Sequence, residues 1–266
     1  MKTIIIKINL LFMAAVLLLV AGCKKSKNSD DEQLQTSVVK GPLYFHLHTY
    51  IDDITEVDGY NIVYTRDDGR KISVSKAQLY LSDIQLVKSD GSFYSLEDTI
   101  VLKTFDTETY FVANVPAGQY KSIRFSVGLD PIENSKTPTT SSPSMLRDSS
   151  MWFTNIATQN NYVFVNFQGK IDTTVNANGT VPQMQPFSYK LGTNANYKQV
   201  SMPTKNYTVI SNQVTYVHLL VNYSKLFNGV NLRDENNLSV NSISDNASGI
   251  ATTIANNIPA MFDYEE

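Results

Sequence analysis

Three histidines and one cysteine are the side chains of this 266-residue chain best suited to hold something other than protein. His46 and His48 are separated by one residue inside the run Leu43-Tyr44-Phe45-His46-Leu47-His48-Thr49-Tyr50-Ile51. Successive side chains of a strand point to opposite faces, so both imidazoles leave the same face, about 7 Å apart at the backbone. Imidazole nitrogen suits copper and other borderline transition metals, and a His-x-His strand can chelate one ion. Two same-face histidines alternating with Tyr44 and Tyr50 are more often a half-exposed polar face without metal. His218, in Tyr216-Val217-His218-Leu219-Leu220, reads first as a hydrogen-bonded strand histidine and second as a third ligand.

Cys23 has no second cysteine to pair with, so packing rather than a disulfide must hold the fold. It follows Val20-Ala21-Gly22 at the end of an uncharged stretch, Leu10 to Val20, which Lys2 and Lys7 precede. A positive start, an apolar middle and small residues before the cleavage point mark a secretory signal. The Val-Ala-Gly-Cys ending reads as a bacterial lipobox with Cys23 as the acylated residue, and the apolar stretch is short for a membrane span. Residues 1–22 are expected to be the removed signal peptide. Residues 23–40 are expected to be a lipidated cysteine and a solvated tether, rich in Lys, Ser, Asn, Asp and Gln. The tether's Asp30-Asp31-Glu32 resembles surface-export tags of Bacteroidota lipoproteins, and Lys24 is not the Asp that retains some lipoproteins at an inner membrane. The expected address is the outer membrane, facing the periplasm or the cell surface.

A formal net charge of −3, more negative once Lys2 and Lys7 are removed, and the lack of a basic stripe argue against a nucleic-acid surface. The chain carries no nucleophile elbow, phosphate-cradling glycine loop, zinc-protease helix motif or cysteine nucleophile, so catalysis is not expected. Asp52, Asp53 and Asp83 are expected to cap turns and solvate edges.

Positioning these side chains falls to strands. Tyr, Phe, Val, Ile and Thr recur in short alternating runs broken by turn residues, the pattern of antiparallel sheets with one wet face. Asp68-Gly69 and Asp90-Gly91 predict two tight hairpins, joining Asn61–Thr65 to Lys71–Val74 and Gln78–Lys88 to Ser92–Leu96. Further strands are predicted at Ile100–Thr104, Tyr120–Val127, Tyr162–Ile171, Phe187–Leu191, Gln199–Met202 and Gln213–Tyr223. Ile250, Ile254 and Ile258 predict one short packing helix, capped by Asp245 or Asn246 and limited by Pro259. The segment Ile132 to Ser150 is longer than a simple connection needs, a length often associated with function. Residues 41–266 are expected to be a single all-β domain, an antiparallel β-sandwich with a short C-terminal helix and long loops.

Three stretches carry a family resemblance: Lys76-Ala77-Gln78-Leu79-Tyr80-Leu81-Ser82-Asp83-Ile84-Gln85-Leu86, Val115-Pro116-Ala117-Gly118-Gln119-Tyr120-Lys121-Ser122-Ile123-Arg124-Phe125-Ser126-Val127-Gly128-Leu129-Asp130, and Tyr162-Val163-Phe164-Val165-Asn166-Phe167-Gln168-Gly169. They resemble the MbnP-like family, whose members are periplasmic or lipid-anchored β-sandwich proteins. The resemblance spans most of Leu43 to Phe262. It implies copper as the cofactor, histidine ligation, an oxidised tryptophan, and a dihaem peroxidase-like or TonB-type receptor partner. The family's tryptophan stretch, Met-aromatic-Trp-x-Trp-x-x-Gly-Tyr, corresponds here to Met151-Trp152-Phe153, with a single Trp152 and with Asn161 before Tyr162. Tyr189 and Lys190 stand where relatives commonly show a histidine before the strand's hydrophobic-Gly end. The candidate metal ligands are therefore His46, His48 and His218, with Trp152 as the family aromatic position. The alternative is an adhesion or glycan-binding or protein-binding surface module without metal, favoured by the many tyrosines and the Ser/Thr-rich loop.

Overall fold

Strand β1 (Lys40–Tyr50) alternates buried and half-buried positions along its length, with Leu43, Phe45, Leu47 and Thr49 turned to the core. The computed structural model describes residues 38–138, 143–154 and 158–265, so Cys23, the signal segment and most of the tether lie outside the described residues. Among the described residues two sheets face each other. One is four-stranded, in the order β14 (Phe262–Tyr264), β12 (Thr215–Asn222), β1, β6 (Thr109–Pro116). The other is ten-stranded, and its main path runs β10 (Lys198–Ser201), β7 (Gly118–Val127), β3 (Lys71–Lys88), β8 (Val163–Ile171), β9 (Gln185–Gly192), β13 (Ser239–Val240). The remaining strands are β2 (Val63–Thr65), β4 (Phe93–Ser95), β5 (Val101–Lys103) and β11 (Tyr207–Val209).

The all-β sandwich is as expected, with two differences of pairing. β1 and β12 run parallel, as do β9 and β13, although an antiparallel fold was predicted. Lys71–Val74 and Gln78–Lys88, read as two strands, are one 18-residue strand, kept continuous by a bulge between Val74 and Lys76. Both Asp-Gly hairpins form, joining β2 to β3 and β3 to β4. The Pro116-Ala117-Gly118 turn leads from β6 in one sheet to β7 in the other, and the Tyr120 hydroxyl anchors it by donating to the Pro116 carbonyl at 2.8 Å.

The main core fills the space between the sheets, with Phe45 and Leu47 of β1, Val217 and Leu219 of β12, Leu79 and Leu81 of β3, and Val165 and Phe167 of β8. Residues of opposite parity in β3 and β8, such as Tyr80 and Phe164, build a second, smaller core on the outer face of the ten-stranded sheet. The segment after β7 covers it. Asp130 caps the one-turn helix α1 (Pro131–Asn134), accepting from the Ile132 and Glu133 amides, and Leu146, Met151 and Trp152 then pack onto Tyr80 and Tyr162. The described parts of the long Ile132–Ser150 connection thus serve as a lid on hydrophobic surface.

Near the end, helix α2 (Gly249–Asn257) buries Ala251, Ile254 and Ala255. Its cap is Ser248, whose hydroxyl accepts from the Ala251 amide, rather than the predicted Asp245 or Asn246. Those two fall in a preceding 3-10 turn, where Asn246 instead bonds the Gly192 amide and the Lys190 carbonyl.

Candidate metal centre

The outward positions of β1 are Tyr44, His46, His48 and Tyr50. Parallel pairing with β12 runs without a shift from Leu43↔Thr215 to Tyr50↔Asn222, and that register sets His46 beside His218. Ring centroids are 4.4 Å apart for His46 and His48 and 4.9 Å apart for His46 and His218. One ligand nitrogen from each ring lies within 4.8 Å of the other two. Two nitrogens on one tetrahedral ion stand about 3.3 Å apart, given metal–nitrogen bonds of about 2.0–2.1 Å. Capture therefore asks the rings to close by on the order of 1 Å, a side-chain rather than a backbone movement. His218, read first as a plain strand histidine, is brought into the group.

Three glutamates that the sequence reading did not single out complete the site. Glu56 Oε1 lies 2.6 Å from His48 Nδ1, and Glu108 Oε2 lies 3.2 Å from His46 Nε2. Glu265 Oε2 lies 3.4 Å from His218 Nδ1 and 3.6 Å from His48 Nε2. Each is placed by local backbone structure. The buried Asp52 carboxylate accepts from the Ile54 and Thr55 amides and folds the chain back, so that Val57 donates to the Thr49 carbonyl and Glu56 lies along β1. The Glu108 carbonyl accepts from the Leu47 amide at the start of β6, and the Glu265 amide donates to the His218 carbonyl just after β14. A carboxylate on one ring nitrogen fixes the tautomer and leaves the other nitrogen's lone pair for a metal. His46 and His48 are held in this way.

Charge around the site extends into the core. Lys103 of β5 is fully buried, its ammonium donating to Thr49 Oγ1 at 2.5 Å and to the Thr104 carbonyl at 3.3 Å. Burial pushes its pKa down to about 7, against the opposing pull of Glu108 and Glu56. The Tyr50 hydroxyl is held above its usual range by burial and then by Glu56 and Glu265.

Beside the imidazoles lies an aromatic row. Tyr44 packs against Phe111 at 5.3 Å and Tyr216 at 5.6 Å, and Phe111 and Tyr216 are about half exposed, at 52% and 51%. A cleft of about 350 Å³ opens next to His218 between Tyr207, Tyr216 and Tyr264. A larger cleft of about 760 Å³, lined by Asp83, Asp98, Asp130 and Glu133, contains none of the histidines.

Trp152 is not part of the histidine group. It belongs to the second core on the outer face of the ten-stranded sheet, is 8% exposed, and its indole N–H donates to the Leu146 carbonyl at 3.3 Å. Tyr189 points into the main core and donates to the Asn237 carbonyl at 2.7 Å. Lys190 pairs with Asn166, whose amide donates to the Ser150 carbonyl, so Lys190 stands on Trp152's side of the molecule.

A comparison with curated proteins found no match. A similar solved structure is MbnP from Methylosinus trichosporium, 15% identical, covering 71% of this chain and 78% of its own, with a TM-score of 0.49. The family model for MbnP matches residues 40–244, from the first residue of β1 to beyond β13, a span that includes all three histidines. By that match, over most of its length, the chain belongs to the MbnP family.

Proposed function

We propose that this chain is a non-enzymatic lipoprotein of the cell envelope that binds a transition-metal ion, copper foremost, through His46, His48 and His218. The observation that carries this reading is the convergence of three imidazole nitrogens within 4.8 Å, two of the rings already oriented by glutamates. Imidazole with carboxylate suits Cu(II) and Zn(II), whereas soft thiolate and thioether donors select Cu(I). One ring of the three, His218, is 47% exposed and leaves the group open to solvent on that side, which favours capture and release over enclosed storage. Family membership makes copper the first ion to test.

The outer membrane is the proposed address, through acylation of Cys23. The family resemblance suggests a dihaem peroxidase-like or TonB-type receptor as partner. Such a peroxidase would have to reach an indole that is only 8% exposed, so the metal reading here is built on β1 and β12 and not on Trp152.

The mature protein is to be loaded with Cu(II), with Zn(II) and with Cu(I), desalted, and its metal counted by plasma mass spectrometry. Retention of Cu(II) is expected in the native protein, with loss in His46→Ala/His48→Ala and at least tenfold weaker binding in His218→Ala. Native protein that emerges free of metal overturns the reading. Intact-mass analysis of the purified chain tests the anchor: a diacyl or triacyl Cys23 terminus is expected, and an unprocessed Met1 terminus refutes it. The exposed row Phe111, Tyr44 and Tyr216 favours a second reading, stacking of a sugar or peptide on the same face. Glycan-array binding lost in Tyr216→Ala, by protein without metal, would move the assignment there.

A further inference from the structure

The geometry points to two metal ions on this face, with His48 as the imidazole they share; this rests on the metal-binding reading above. Among the described residues two donor groups, each with its ligand atoms within 4.8 Å of one another, occupy the face: His46, His48 and His218, and His48, Glu56 and Glu108. His48 alone belongs to both. Its two nitrogens look in different directions, Nδ1 to Glu56 at 2.6 Å and Nε2 to Glu265 at 3.6 Å, and Glu265 in turn touches His218. One ring nitrogen is thus turned to the carboxylate subsite and the other to the imidazole subsite.

The two subsites differ in chemistry. Three imidazoles suit Cu(II), and one imidazole with two carboxylates suits a harder divalent ion or a second Cu(II). An imidazole ligates through both nitrogens only after losing its N–H proton. The first ion takes the existing lone pair, the second takes the place of the proton, and that proton leaves to water. Charge balances as well. Two divalent ions carry four positive charges, and Glu56, Glu108, Glu265 and the shared imidazolate carry four negative ones. With a single ion bound among the histidines, this rim would hold more negative charge than the ion neutralises.

The test is titration of the mature, full-length protein with Cu(II), following stoichiometry by mass spectrometry and the copper spin by electron paramagnetic resonance. Two equivalents are expected, with a spin signal that grows to one equivalent and then falls as the second ion couples through His48. In Glu56→Gln/Glu108→Gln, one equivalent and an uncoupled signal are expected to remain. One equivalent in the native protein, or two uncoupled ions, overturns the shared-imidazole site while leaving the metal-binding reading intact. No retained copper overturns both.

Discussion

Lys103 lies in the core with hydroxyl and carbonyl oxygens around its ammonium, and among the described residues no carboxylate forms an ion pair with it. Its folded pKa of about 7 lies below the roughly 10.4 of an unfolded lysine. Between those values the unfolded chain binds the extra proton, so stability rises with pH from about 7 towards 10, and the cost of burial is fully felt below pH 7. Lys103→Met is expected to stabilise the protein at pH 7 in urea unfolding and to remove that rise. Above pH 10 the trend reverses. Burial holds the hydroxyls of Tyr80, Tyr189, Tyr207 and Tyr223 above the usual phenol range, while unfolded tyrosines ionise near 10. Alkaline unfolding monitored by tyrosinate absorbance should therefore show ionisation of these groups only as the fold is lost.

At the scale of elements, the His-x-His face of β1 and the two Asp-Gly hairpins were legible because alternation and turn chemistry are local. The parallel partnership with β12 was not, since it joins segments from opposite ends of the described chain, and nothing near His218 announces its neighbour. β6 shows no two-residue period in the sequence, because its register against β1 shifts between Leu43 and Tyr44 and its buried residues Val112 and Val115 fall three apart. β11, β13 and β14 are three residues or fewer, held by their neighbours rather than by pattern. The glutamates of the site come from a reverse turn, a strand start and a residue after a strand, places where acidic side chains are ordinary. Helix α2 gives a direct test of local capping: Ser248→Ala should cost about 1 kcal/mol by chemical denaturation. Gly169→Ala in β8 should cost more, because a methyl there would meet the Ser73 carbonyl at 2.0 Å and the Phe187 ring at 3.0 Å.

For the whole molecule, an ion bound by the native protein and not by the unfolded chain shifts thermal unfolding by mass action. At a hundred times the dissociation constant, Cu(II) should add about 2.7 kcal/mol of stability. Calorimetry should show this rise in the native protein and no rise in His46→Ala/His48→Ala. A rise that survives the double substitution would place the ion elsewhere.

Under the proposed function, the side-by-side run of β1 and β12 would also decide when the ion can be chosen. On the proposed export across a membrane in extended form, His46 and His48 would be together before His218 arrives. The full ligand set comes into being only when the last third of the polypeptide has docked. Under the proposed function, selection of the metal would be deferred to the place where folding finishes, and the ion taken up would be the one abundant there, not the one favoured where the ribosome made the chain.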